Sequence, residues 1–250
     1  MRRELTYFLL AVSFFTRLPT PNFKNFDNND LNQGSKYLPL IGILVGTIGS
    51  MALWLALIVF PLEIAVLISL IVTSYFTGCI HEDGLIDTLD GLGGSFEKDR
   101  ALTIMRDPTI GSFGALGLVF SVLLKFEAIN HIPRPTVYIV LISAHSLSRY
   151  ASFLMMFLLP YIRSEGKAKP FTQGLTRVDL VLATFFGLVP FTFLKPGMIA
   201  AVLPVILIWL WFTRKLKSRL GGITGDCLGA MQQLTELCFY LGILVWMSFQ

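Results

Sequence analysis

Residues 38–60 read LPLIGILVGTIGSMALWLALIVF, an unbroken apolar run without a single charge. A hydrocarbon core of about 30 Å takes roughly 20 helical residues to cross, so this stretch is predicted to be a transmembrane helix. Outward from it, comparable runs lie near 62–80, 111–130, 136–160, 178–195, 197–212 and 227–249. Over all 250 residues, 54% are hydrophobic, only 14% are charged and the mean hydropathy is +0.68. The expectation is an all-α polytopic membrane protein with about seven crossings, because backbone in lipid must satisfy its own hydrogen bonds. One domain, 1–250, accounts for the chain, since no repeat, low-complexity tract or long hydrophilic insertion divides it.

Ahead of the first crossing, Leu5 to Thr16 is too short to span. Arg17, Pro19 and Pro21 end it and no small-residue cleavage site follows, so it is read as an interfacial or re-entrant helix of the mature protein rather than a signal peptide. Lys and Arg collect in the loops that stay cytoplasmic. The N-terminus and the loops near 17–37 (Arg17, Lys24, Lys36), 81–110, 161–177 and 213–226 hold 16 of the 20 basic residues, against Arg134 and Lys195 on the other side. Those four loops are therefore expected to face the cytosol. The net charge of +4 is then a topology signal and calls for no nucleic-acid partner. Cys79, Cys227 and Cys238 form no CxxC pair and read as small hydrophobes.

The chemistry is concentrated at 81–94, HEDGLIDTLDGLGG. On a helix Asp83, Asp87 and Asp90 fall within an arc of about 60°, where side chains three and four apart are neighbours. Like charges so placed need a cation between them. Hard oxygen ligands suit Mg²⁺, which keeps some waters and takes other ligands from substrate phosphates. Glu82 stands beside them. His81 could be a general base, a ligand or a phosphate contact, or an interfacial histidine bonded to the next helix. The absence of HExxH or a Cys/His set speaks against zinc. Further on, Arg100, Arg106 and Asp107 lie within folding reach, and arginines that fork onto phosphate oxygens beside a carboxylate-held metal are what phosphoryl transfer requires. Glu97, Lys98 and Asp99 read as solvated surface.

A second constellation is GGITGDCLGA at 221–230. Its backbone amides ahead of a helix could meet an anion, and Asp226 could be a base or a further metal ligand; a plain helix cap is the alternative. No GK[ST] follows, so it is not a Walker loop. Arg149, mid-segment with His145 one turn before it, either pairs with a buried carboxylate such as Glu127 or Glu236 or lines a polar cavity that reaches the substrate. Lys125 with Glu127 reads as a snorkelling, structural pair.

HEDGLIDTLDG, then RALTIMRDPTIGSFGALGL (100–118), the N-terminal FFTRLPTP (14–21), Ser148–Arg149 and GGITGDCLGA together resemble the cobalamin synthase family, the adenosylcobinamide-GDP ribazoletransferases, over essentially the whole chain. The resemblance implies a multi-pass inner-membrane enzyme of late vitamin B12 assembly that requires Mg²⁺. It would join α-ribazole, or its 5′-phosphate, to adenosylcobinamide-GDP, release GMP and form adenosylcobalamin or its phosphate. It assigns Asp83, Asp87 and Asp90, with Glu82 beside them, to Mg²⁺ and pyrophosphate, and Arg100, Arg106 and Asp107 to the family's second block. Asp226 and His81 are the catalytic candidates and Arg149 a substrate contact. The partners implied are those two substrates and the lipid bilayer, with a homo-oligomer compatible. Three other readings compete. A CDP-alcohol phosphotransferase would need Ala-Arg where Asp87 and Thr88 stand, a UbiA-like prenyltransferase would need a second aspartate-rich motif, and a cation transporter would hold its acids near mid-bilayer.

Overall fold

The computed structural model describes residues 2–23 and 26–250; Lys24, counted above among the loop cations, lies outside the described residues. The chain is helical, and among the described residues the only β-type pairing is an isolated bridge between Tyr161 and Ile223. The helices are α1 (Arg2–Phe15), α2 (Asn28–Gly34), α3 (Leu38–Ala56), α4 (Leu62–Thr77), α5 (Ile80–Gly94), α6 (Lys98–Ile104), α7 (Ser112–Asn130), α8 (Arg134–Leu158), α9 (Arg177–Leu188), α10 (Val202–Leu220) and α11 (Gly225–Met247). The all-α polytopic architecture read from the apolar runs is the one observed.

Five stretches are long and apolar enough to cross a bilayer, namely Asn29–Ala56, Ser112–Asn130, Arg134–Leu158, Pro196–Leu220 and Gly225–Met247, and a sixth arises if α4 and α5 are taken as one broken span. Seven runs had been expected. The difference lies at 62–80, where α4 is 16 residues long and counts only when joined to α5, and at 178–195, where α9 is only 12 residues long and gives way to a 3₁₀ segment, Val189–Phe193. Pro190 falls inside that segment, where its missing N–H and its ring oppose continuation of the α-helix. The N-terminal segment is the 14-residue α1, too short to span and packed on α2 and α3.

Local chemistry sets the helix ends. Asp27 and Asp30 form a reciprocal capping box on α2, and Thr176 and Asp179 do the same on α9. The junction that matters for function is the end of α4. Gly78 and Cys79 both take left-handed backbone, φ 66° and 57°. The Cys79 amide donates to the Ser74 carbonyl (2.9 Å) and the Gly78 amide to that of Tyr75 (3.1 Å), a Schellman closure. Helix α5 leaves this corner at 86° to α4, so it runs across the end of the bundle rather than through it.

Among the described residues the bundle is held by three groups of buried side chains, the smallest of which joins α1 to α3 through Ala11, Val12, Ile41 and Val45. Of the two larger groups one, including Leu53, Val66, Val140, Leu141 and Phe239, lies among α3, α4, α8 and α11. The other, including Leu85, Met155, Phe212 and Met231, lies at the end where α5 sits. Trp54, Ile58, Phe120, Leu123, Leu203 and Leu207 point outward, as a lipid-facing belt must.

Candidate active site

Helix α5 is fixed by how closely it crosses α11. A Cβ on Gly84 would stand 2.8 Å from the Asp226 carbonyl oxygen and 3.1 Å from the Gly229 Cα, and a Cβ on Gly229 would come within 3.2 Å of the His81 backbone. Small residues at a helix crossing allow this approach. Its effect is to bring the acidic stretch of α5 to the N-terminus of α11, where Thr224 caps the helix by accepting from the Cys227 amide (3.3 Å). The capping alternative for 221–230 is thus realised at Thr224, whose hydroxyl also donates to Asp226 Oδ2 (3.3 Å).

Asp83 and Asp226 line a cavity of about 550 Å³, together with His81, Arg149, Arg163 and Lys167. Asp226 forms an ion pair with Arg163, Oδ2 to Nη2 at 2.8 Å. Asp87 is half-buried in the same field. Burial first, then the charges of Asp226 and Asp83, push its carboxyl up to about 7. The sequence reading missed Arg163 and Lys167; they sit in the 161–177 loop with nothing but their charge to single them out.

The four carboxylates of 81–94 do not act as one set. Glu82 turns away from Asp83: its Oε1 accepts from the Ser74 hydroxyl (2.8 Å) and it lines a second cavity. Asp90 is buried and accepts from the Gly111 and Gly114 amides, both at 2.8 Å, so it closes the N-terminus of α7. That geometry gives Asp90 a structural task in place of the metal contact expected of it. The physical cause is the helix N-terminus, whose unsatisfied amides and positive end stabilise a carboxylate. Among the described residues no three His, Cys, Asp or Glu side chains converge closely enough to cage a metal. The donor set nevertheless fits Mg²⁺, which binds through one or two carboxylates plus waters and phosphates. Asp87, a half-buried carboxyl with Asp226 and Asp83 as charged neighbours, is the observation that favours the fit.

The second cavity, about 350 Å³, lies on the other side of His81 and Arg149, both of which line both cavities. Arg149 is 1% exposed. Its Nη1 reaches the His145 carbonyl (3.1 Å) and Nδ1 (3.3 Å), and its Nη2 lies 3.4 Å from His81 Nε2. Its hydrogen-bond partners are imidazoles and a carbonyl, not a carboxylate, and its Nε has none. Of the two roles open to it, the structure favours the cavity. Glu127 is exposed and lies near His131, while Glu236 pairs with Lys125 (2.8 Å) and with His145 (3.2 Å). Lys125 is therefore no snorkelling partner of Glu127. It is buried, with Gln233 as a further acceptor at 2.6 Å.

Arg100, Arg106 and Asp107 are exposed on α6 and the loop after it, and line neither cavity. Asp107 accepts from the Thr109 amide (2.9 Å) in an Asx-type turn, and hydrogen bonding by the Thr109 side chain first and this amide second holds its carboxyl below the ordinary range. Glu97, Lys98 and Asp99 are solvent-exposed, as expected of surface.

Residues 7–244 match the family model described as cobalamin-5-phosphate synthase. The chain belongs to this family. Adenosylcobinamide-GDP ribazoletransferases of Ralstonia pickettii and Shewanella amazonensis are 39% identical over 95% of this chain and 94% of theirs, and 40% identical over 99% and 98%. That of Leptospira biflexa is 35% identical over 98% of both. No solved structure matches. The cobalamin-5-phosphate synthase family is one of transferases.

Proposed function

We propose that the chain transfers the adenosylcobinamide-phosphate group of adenosylcobinamide-GDP to α-ribazole or its 5′-phosphate, releasing GMP, at the cytosolic face of the cytoplasmic membrane. The observation that carries this is the meeting of Asp83 and Asp226 across the Gly84–Gly229 contact in one cavity with Arg149, Arg163 and Lys167. Acids and fixed cations gathered around one space suit a diphosphate and its metal, because phosphoryl transfer is mostly positioning and charge neutralisation. The full-length likeness to ribazoletransferases supports the same reading, and the bias of basic residues toward the 81–110, 161–177 and 213–226 loops supports the cytosolic orientation.

In this reading a ribose hydroxyl attacks the phosphorus on the cobinamide side. The new P–O bond forms as the diphosphate bridge breaks, and GMP leaves with the bridging oxygen. Arg149 forks onto the phosphoryl oxygens, and its burial makes that contact strong because no water competes. Arg163 and Lys167 hold the guanylate side. His81, which borders both cavities, takes the hydroxyl proton, and Asp226 orients Arg163. Asp83, Asp87 and Asp226 are the residues that would hold Mg²⁺, which when bound neutralises the diphosphate oxygens and eases departure of GMP.

Purified full-length protein in detergent, given adenosylcobinamide-GDP, α-ribazole and Mg²⁺, is expected to release GMP, and a chelator to stop it. No GMP release from folded protein would overturn the transferase reading. Release that persists in chelator would overturn the metal.

A further inference from the structure

We infer that the 350 Å³ cavity is a separate subsite for the acceptor, a neutral nucleoside with an apolar aromatic base, and that it opens on the flank of the bundle between α4 and α7. The inference rests on the transferase reading above for the identity of the acceptor, but its geometry is independent of the metal. The cavity is of small-molecule size, within the roughly 300–1,000 Å³ of such sites. Its outer wall is Leu67 and Ile71 of α4 and Val122 of α7, which line the cavity and are themselves exposed, so it faces the lipid-side surface. An apolar ring is matched by that wall.

The inner end is polar. Glu82 Oε2 is buried there without a hydrogen-bond partner, while Oε1 is occupied by Ser74. An unpartnered buried carboxylate oxygen costs desolvation free energy unless a donor meets it, and a ribose offers hydroxyl donors in pairs. Gln232 and Gln233 also line this cavity, but their amides are engaged with Ser148, Glu236, Gln232 and Lys125. Glu82 Oε2 is thus the acceptor left to bind. The charge pattern separates the two spaces. The larger cavity sets Arg163 and Lys167 around Asp83 and Asp226 and suits an anion with a metal. In the smaller one Lys125 is paired with Glu236, and Glu82 stands there with Arg149 and the exposed Arg17, a nearly balanced lining that suits a neutral ligand. Arg149 and His81 form the wall between them, so a hydroxyl bound at Glu82 stands one side chain away from a phosphate bound beyond it.

Calorimetry of α-ribazole with the full-length protein in detergent, in chelator and without the guanylate substrate, tests this. Wild type is expected to bind one equivalent. Val122→Trp, which fills the outer end from an exposed position, and Glu82→Gln, which removes the ribose acceptor charge, are each expected to weaken binding by about tenfold or more. GMP binding by either variant should match wild type, which also reports that each is folded. Wild type that does not bind α-ribazole, or a Val122→Trp protein that binds it as wild type does, would overturn the subsite. Binding of α-ribazole together with no GMP release when Mg²⁺ and adenosylcobinamide-GDP are supplied would instead overturn the transferase reading and leave the subsite standing.

Discussion

His81 Nε2 lies 3.4 Å from Arg149 Nη2, and this contact stands between the two cavities described above. A guanidinium always donates, so the imidazole nitrogen facing it is an acceptor, one that is freed to take a proton when Arg149 turns onto a phosphate. Arg149→Lys keeps the charge but cannot span both His145 and His81 while reaching a phosphate. It is expected to lower kcat/KM roughly ten- to a hundredfold, with the detergent-solubilised protein still monodisperse. Steady-state GMP release read alongside size exclusion checks this, and activity within a factor of two of wild type would remove Arg149 from the phosphate site.

Two aspartates seven residues apart on one helix face are expected to fail differently. Asp83→Asn should abolish turnover and leave thermal stability unchanged, because Asp83 is exposed to the cavity. Asp90→Asn should cost stability instead, about 1 kcal/mol or more, because Asn offers one neutral acceptor to the two amides at the start of α7, so one bond is lost and the other loses its charge. Thermal unfolding of both variants in detergent beside their activities separates the roles.

Asp87 predicts a pH effect with a definite sign. Its carboxyl sits at about 7 in the folded protein against an ordinary 3.8, so between those values the native state holds a proton that the unfolded chain has released. The stability of metal-free protein therefore falls as pH rises through that window. Mg²⁺ competes with the same proton, so its affinity should climb toward pH 7 and above. Unfolding midpoints at about pH 5 and pH 8 in chelator, for wild type and Asp87→Asn, would test it. A difference that persists undiminished in the variant would assign the effect elsewhere.

Glu236 is the shared partner of Lys125 and His145, and accepts as well from Gln232 and Tyr240. Glu236→Gln leaves a buried cation uncompensated and is expected to destabilise the bundle by about 3–5 kcal/mol. Adding Lys125→Met should restore part of that loss. A single variant as stable as wild type would show that the ion pair is dispensable.

Much of this was legible in the sequence, and the losses have identifiable causes. The apolar runs predicted the helices because lipid leaves the backbone no other choice, and the one-sided spacing of Asp83 and Asp87 survives in α5. What failed was long-range. Asp90 finds its partners at Gly111 and Gly114, and Lys125 finds Glu236 rather than its neighbour Glu127; such pairings are decided by packing between helices and leave no local trace. The corner at Gly78 and Cys79 was also invisible, since cysteine is no usual left-handed residue. Arg100 and Arg106 were judged near the site from their place along the chain, yet the fold points them into solvent, while Arg163 arrives from a distant loop.

The Glu236 cluster has a bearing on how the protein is made. Helices α7 and α8 are synthesised before α11 and each carries a cation into the bilayer, Lys125 and Arg149, while the anion that compensates Lys125 rides on α11. Until α11 has emerged, those earlier helices hold charge that hydrocarbon disfavours by a few kcal/mol each. Emergence of α11 is thus the event that locks the assembly, and a polypeptide ended before Gly225 would remain an unneutralised intermediate open to proteolysis.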